Sequence, residues 1–137
     1  ITFNTQNKLN SYNEWPKCIT DSKSSYLNFC TTGGGVLYPP KSLYKDVLNE
    51  GLFMQLCPTA DDIWFWAMTI LNNNKIRIVN ENVNSFVFVN PELEFRLTDA
   101  ASLYKINFIK NDGQLEKVFN YYTKNLSVSP FHSLSEN

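Results

Sequence analysis

The sequence lacks the charge excess and the long apolar runs that mark two large classes of protein. Charged residues make up 18% of the 137 residues, the net charge is −1, and the twelve Lys and Arg are scattered. This spread excludes the basic stripe of a nucleic-acid-binding protein, so we expect no nucleic-acid partner. No apolar run approaches the ~20 residues that span a bilayer, and no signal peptide is visible, so we expect no transmembrane segment.

Cysteine is also sparse. The three cysteines, Cys18, Cys30 and Cys57, are odd in number, widely spaced and in no C-x-x-C pair. This usage excludes a disulfide framework and a zinc site, and it fits a cytoplasmic location with reduced thiols. We therefore predict no metal site within this chain.

Core-forming residues, in contrast, are plentiful. Hydrophobic residues make up 43% of the chain and aromatic residues 15%. A chain of this length can bury about two-thirds of its unfolded surface. With no internal repeat or low-complexity linker, residues 1–137 are predicted to form a single domain. Because the first residue is Ile1 and not Met, we expect the chain to be a piece of something longer.

Local patterns predict a mixed α/β (α+β) fold. We expect a short mixed sheet, a buried aromatic helix and a C-terminal helix. The strands are predicted at 26–32, 75–79, 86–90 and, more weakly, 103–107. The helices are predicted from a Ser42 N-cap to Gly51, at 60–71 and at 113–124.

The acidic pair, Asp61 and Asp62, precedes a strongly apolar run in "CPTADDIWFWAM". One interpretation is structural, because Thr59 and Asp62 have the spacing of a capping box and carboxylates are favoured in a first helical turn. The other is functional, because a helix that is apolar on every face is buried, and an ionised carboxylate at its start must be paired or used. Adjacent helical residues point about 100° apart, so we expect one to cap and the other to act on substrate.

A second constellation is "TTGGGVLYPP", which contains Gly33, Gly34 and Gly35. Three glycines allow a positive φ or a close approach of the backbone to a ligand, and the spacing is not that of a phosphate loop. The alternative is a tight turn into a proline-stiffened edge. Tyr38 offers a flat, amphipathic surface on which a sugar ring could pack, although such residues more often belong to a core or a rim.

Taken in order, "SYNEWP", "TTGGGVLYPP", "LCPTADDIWFWAM" and "NDGQLEKVFNYY" resemble the carboxy-terminal half of a group of bacterial glycosyltransferases with the GT-A fold. The resemblance covers residues 9–122, and such enzymes build capsule or lipopolysaccharide. It implies that the chain is the acceptor-side half of an enzyme that moves a sugar from a nucleotide-sugar donor to a glycan acceptor.

The resemblance also implies roles for individual residues. Asp61 and Asp62 match the acidic motif in which one carboxylate is the general base in inverting members. Position in the motif favours Asp62 as the base, whereas the capping box would leave Asp61 free, and the sequence leaves both open. The glycines Gly33–Gly35 would approach the donor or acceptor sugar, and Tyr38 or Trp64 would line the acceptor subsite.

The full-length enzyme is expected to use a divalent metal, Mn or Mg, held by an Asp-x-Asp motif in its other half. No Asp-x-Asp occurs in this sequence, so we expect this chain alone to be inactive. The full-length protein could associate peripherally with a membrane.

Two rival functions remain open. A non-catalytic glycan-binding or scaffolding domain could keep the fold without the chemistry. A small hydrolase could pair Asp61 with Glu92 or Glu94, although nothing in the spacing brings these groups together. The lone histidine, His132, is predicted to be an exposed tail residue and not a metal ligand.

Overall fold

The described part of the chain is built from helices. The computed structural model describes residues 1–6, 8–79, 89–90, 92, 103–126 and 134. Its α-helices are α1 (Glu50–Leu56), α2 (Asp61–Leu71) and α3 (Leu103–Asn125), and its 3-10 turns are Tyr12–Glu14, Thr32–Gly34 and Lys45–Leu48. Within these residues, no helix has both the length and the apolar character required to cross a membrane.

The predicted mixed sheet is wrong, and with it the assignment to an α/β acceptor-side half of a GT-A fold. The described residues contain no sheet, only two isolated bridges, one between Phe3 and Leu9 and one between Ser25 and Ile76. The strands predicted at 26–32 and 75–79 do not form, since backbone pairing there is limited to the Ser25–Ile76 bridge, with two N–H to carbonyl bonds of 3.0 Å. The Asn28 side chain also donates to the Ile76 carbonyl, at 2.9 Å.

The strand predicted at 103–107 is also wrong, because these residues are the first turns of α3. The C-terminal helix therefore begins ten residues before the predicted start at Gly113, which lies inside it. Its added turns bring the Asn107 amide to the Thr59 carbonyl at 2.7 Å, a tertiary contact that overrides weak β-propensity. Of the strand predicted at 86–90, residues 86–88 lie outside the described part.

The helix predicted between Ser42 and Gly51 is wrong in both boundaries. The Lys45–Leu48 turn ends before Asn49, and Asn49 is the N-cap of α1, accepting from the Leu52 N–H at 3.1 Å. Gly51 therefore lies in the first turn of α1 and does not end a helix. An amide N-cap satisfies one of the free N–H groups of a helix start, which explains why α1 begins there.

The predicted aromatic helix is confirmed as α2, and it forms the centre of the core. Seven of its eleven residues are buried, three are partly buried, and Asp61 at its N-terminus is the one exposed residue of this helix. Trp66 is fully buried, with the Phe119 ring of α3 stacked 6.1 Å away and the Phe29 ring at 6.2 Å. The Lys45–Leu48 turn covers another side of α2, where Tyr44 donates its backbone N–H to the Met68 carbonyl at 2.9 Å.

We expect Leu115→Ala and Ile109→Ala, both on α3, to differ strongly in their effect on stability. Leu115 is fully buried and Ile109 is 82% exposed. Loss of a buried leucine side chain should lower the free energy of unfolding by about 2–5 kcal/mol, whereas the exposed change should stay within about 0.5 kcal/mol. Urea unfolding monitored by tryptophan fluorescence measures both, and equal losses would contradict the orientation of α3.

Candidate functional site

The structure joins the acidic pair to the glycine turn, which we define as Thr32–Gly34 with Gly35. The Thr32 backbone N–H donates to Asp62 Oδ1 at 2.6 Å, and the Thr32 hydroxyl donates to Asp61 Oδ2 at 3.2 Å. One residue therefore contacts both carboxylates. Sequence reasoning missed Thr32, for which the available signal was its position directly before the glycine triplet.

The predicted capping box is wrong. The N-cap of α2 is Ala60, which supplies no side-chain hydrogen bond. The Thr59 N–H and hydroxyl instead donate to Gln114 Oε1 on α3 at 3.1 and 3.2 Å. The Thr59 carbonyl accepts from the Asn107 amide, so three hydrogen bonds hold Thr59 to α3. Because no capping box forms, neither carboxylate is used to cap the helix, and both accept hydrogen bonds from the glycine turn.

The two carboxylates differ in their surroundings. Asp61 is exposed, whereas Asp62 is half-buried. Their side chains leave α2 in different directions, as adjacent helical residues must, and Thr32 reaches both because its backbone and its side chain each offer a donor. The site thus contains one carboxylate in open contact with solvent and one partly enclosed by the chain.

Polar groups that stay protonated flank Asp62. Burial and the negative charge of Asp62 raise the pKa of the half-buried Cys30 thiol. Burial, the neighbouring Cys30 thiol and then the two carboxylates raise the pKa of Tyr38. The Tyr38 hydroxyl is a buried polar atom with no hydrogen-bond partner among the described residues. The ring of Tyr38 packs on Phe65, with centroids 5.5 Å apart.

Trp64, which the resemblance places beside the acceptor, lies in the core. Only 2% of its surface is exposed, and its indole N–H donates to the Val47 carbonyl at 3.2 Å. Its ring also contacts Phe53, with centroids 5.8 Å apart. In the described structure Trp64 connects α2 to the Lys45–Leu48 turn, and its ring is not accessible to a sugar.

The glycines of the turn have different requirements. Gly35 has a φ of +85°, a conformation that L side chains rarely adopt, so the turn needs glycine there. A Cβ on Gly33 would meet nothing within 4 Å, so no packing within the described chain requires glycine at that position. The backbone at Gly33 is therefore open to approach from outside.

The other two segments of the resemblance contact each other through Asp112. Asp112 on α3 accepts from the Ser11 hydroxyl at 2.6 Å and from the Tyr12 N–H at 2.7 Å. Asp112 thereby joins "SYNEWP" to "NDGQLEKVFNYY", and Gln114 joins the latter to the segment before the acidic pair. Thr32 in turn joins the segment of the acidic pair to the glycine turn. Hydrogen bonds thus connect the four segments in series through Asp112, Gln114 and Thr32.

Two further features are separate from the acidic pair. A cleft of about 570 Å³ lies between the N-terminal segment and α3, with Lys8, Glu116 and Phe119 in its wall, and none of the sequence-predicted site residues lines it. Within the described ranges, no three His, Cys, Asp or Glu side chains are placed to hold a metal ion. His132 and Glu94 lie outside those ranges.

Comparison with known proteins gives no relative for this chain. No protein-family model, no curated protein and no solved structure matches it. Any proposal of function therefore depends on the residues of the site and on the sequence resemblance.

We expect Gly35→Ala to destabilise the protein more than Gly33→Ala. An alanine at the positive φ of Gly35 is strained and should lower the free energy of unfolding by about 1 kcal/mol or more. Alanine at Gly33 meets open space, so the change should stay within about 0.5 kcal/mol. Urea unfolding measures both variants, and equal effects would contradict this geometry of the turn.

The three thiols should react with iodoacetamide in a fixed order at pH 8. Cys18 is exposed and should react first, followed by the half-buried Cys30, whose pKa is raised. Burial, and then the charge of Asp61, raise the pKa of the fully buried Cys57 to about 12, so it should react only after unfolding in urea. Peptide mass spectrometry follows each site, and native labelling of Cys57 as fast as Cys18 would contradict this order.

Proposed function

We propose that this chain is the acceptor-side part of a cytoplasmic glycosyltransferase that uses a nucleotide-sugar donor and a glycan acceptor, with Asp62 as general base. The observation that supports this proposal is the double contact of Thr32 with Asp61 and Asp62. It brings the acidic pair and the glycine turn, the two stretches on which the sequence resemblance chiefly depends, into one site.

Asp62 suits the role of base better than Asp61. Its Oδ1 atom is oriented by a backbone N–H at 2.6 Å, and its side chain is half-buried. A carboxylate has two oxygens and several acceptor sites, so Oδ2 can accept a proton while Oδ1 keeps the N–H. A general base must be held within hydrogen-bond reach of the proton that it removes, and a fixed carboxylate meets this requirement.

The proposed reaction is a displacement at the anomeric carbon of the donor. The acceptor hydroxyl oxygen forms a bond to that carbon while its proton passes to Asp62. The bond between the anomeric carbon and the diphosphate oxygen breaks, and the nucleoside diphosphate leaves with the electron pair. Asp62 becomes neutral and the diphosphate gains the negative charge, so atoms and charges balance.

The glycine turn would supply contact with a sugar. Gly33 has open space where a Cβ would stand, so a sugar hydroxyl could come close to the backbone there. The ring of Tyr38, half-buried against Phe65, is the aromatic group that we assign to the edge of this surface. Both groups belong to the segment that contacts the acidic pair.

A divalent metal, Mn or Mg, would neutralise the leaving diphosphate in the full-length enzyme. The described residues do not fit such an ion, since no cluster of three His, Cys, Asp or Glu converges among them. We therefore propose that the metal ligands lie elsewhere in the full-length enzyme. What these residues supply in the proposed reaction is a base and a surface for a sugar.

Asp62→Asn in the full-length protein should lower turnover by about 10²–10⁴-fold, the usual contribution of general-base catalysis. Release of nucleoside diphosphate from a panel of nucleotide-sugars with glycan acceptors gives the rate. Asp61→Asn should lower it less. Asp21→Asn is the matched control, because Asp21 also accepts a backbone N–H, that of Lys23 at 2.9 Å, but belongs to another loop.

Unchanged turnover for both Asp61→Asn and Asp62→Asn would remove the base assignment. The non-catalytic alternative gives a different pattern. If the full-length protein binds glycans but neither releases a nucleoside diphosphate nor binds one in the presence of Mn²⁺, the glycan-binding or scaffolding function replaces the transferase.

A further inference from the structure

We propose that Thr32 is a positioning residue that gives the two carboxylates different roles. Its backbone N–H orients Asp62 toward the acceptor hydroxyl, and its side-chain hydroxyl holds Asp61 away from the acceptor hydroxyl. This inference rests on the proposed transferase function and adds to it a residue to which the sequence resemblance gives no role.

The two contacts of Thr32 differ in rigidity. Thr31 before it is extended, and the Thr32 carbonyl, in the next peptide group, accepts from the Gly35 N–H at 2.9 Å. The N–H that points at Asp62 belongs to the backbone, so no side-chain rotation can move it. The hydroxyl that contacts Asp61 sits on a rotatable side chain, and its distance of 3.2 Å is longer than the 2.6 Å of the backbone contact.

The surroundings of Asp62 agree with this division. Its negative charge acts on Cys30, two residues before Thr32, and on Tyr38, six residues after it. The segment that carries Thr32 therefore passes close to Asp62 on both sides of the turn. Asp61 remains exposed, so its contact with the hydroxyl competes with water. A short charge-assisted bond to a fixed donor in a partly enclosed site restricts a carboxylate more than a solvent-exposed bond does.

Three substitutions separate the two donors of Thr32. Thr32→Pro removes both the N–H and the hydroxyl, so its difference from Thr32→Val reports the N–H alone. The backbone can accept proline, since Thr31 has φ −93° and ψ 130° and Thr32 is the first residue of the 3-10 turn. Thr32→Val keeps the N–H and removes the hydroxyl. Thr32→Ser keeps both donors and serves as the conservative control.

In the full-length protein, Thr32→Pro should lower kcat by roughly 10–100-fold, the scale of loss when a reacting group is misplaced, with KM changed by less than about threefold. Thr32→Val should lower kcat by less than about threefold, and Thr32→Ser should match the unmodified protein. Nucleoside diphosphate release gives both constants, and thermal unfolding checks that each variant is folded. Should Thr32→Pro fail to fold, replacing Thr32 with its α-hydroxy analogue exchanges the N–H for an ester oxygen in a nearly isosteric backbone, with the same expected loss.

A double-variant cycle tests whether Thr32 acts through Asp62. If it does, adding Thr32→Pro to Asp62→Asn should cause no further loss. Losses that multiply would overturn the inference, as would full activity of Thr32→Pro or an equal loss in Thr32→Val. The two proposals fail differently: normal turnover in Asp62→Asn removes the base assignment, whereas a slow Asp62→Asn with a normal Thr32→Pro removes only the role of Thr32.

Discussion

The burial of α2 is the constraint on which the rest of the described structure depends. Its apolar residues occupy every face of the helix, so it must be covered on all sides, and α3, the Lys45–Leu48 turn and the Phe29 segment supply that cover. Such a helix can leave only an end accessible. The two carboxylates lie at its N-terminus, where the helix dipole favours negative charge. Burial of the aromatic run thus directs the acidic pair toward the surface where the glycine turn contacts it.

The sequence predicted α2 because its signal is long, apolar and bounded by polar residues, and such a signal survives in any tertiary context. The strands predicted at 26–32 and 103–107 are wrong, because a few β-favouring residues were the only basis for those predictions. Such short runs take whichever conformation their neighbours impose, and here the Asn28 and Asn107 side chains bond to distant carbonyls. The helix start predicted at Ser42 is wrong for a related reason, since the Asn49 cap competes with an equally plausible Ser42.

The acidic pair and the glycines could be selected from the sequence, because each is a compact and unusual pattern. Their partners could not. The bonds from Thr32 to the carboxylates join residues about thirty positions apart, and those from Thr59 to Gln114 span 55 positions. No local pattern specifies which distant side chain completes such a pair, so the capping box that the sequence predicts for Thr59 and Asp62 is chemically reasonable but does not form. The predicted burial of the 60–71 helix already implies a buried Trp64, against the role at the acceptor subsite that the resemblance implies. Its partner Val47 could not be selected, since it lies outside the motif.

The contact of Ser11 and Tyr12 with Asp112 has a consequence for the order of folding. These bonds close loops of 101 and 100 residues. Closing a long loop costs entropy that only the finished contacts repay, so such contacts form late. Translation, however, produces the N-terminal segment first. On the ribosome the bonds of Ser11 and Tyr12 to Asp112 must therefore wait until α3 has been synthesised, whereas Tyr12 and Trp15 can already pack on Phe29, whose ring lies 5.7 and 5.4 Å from theirs.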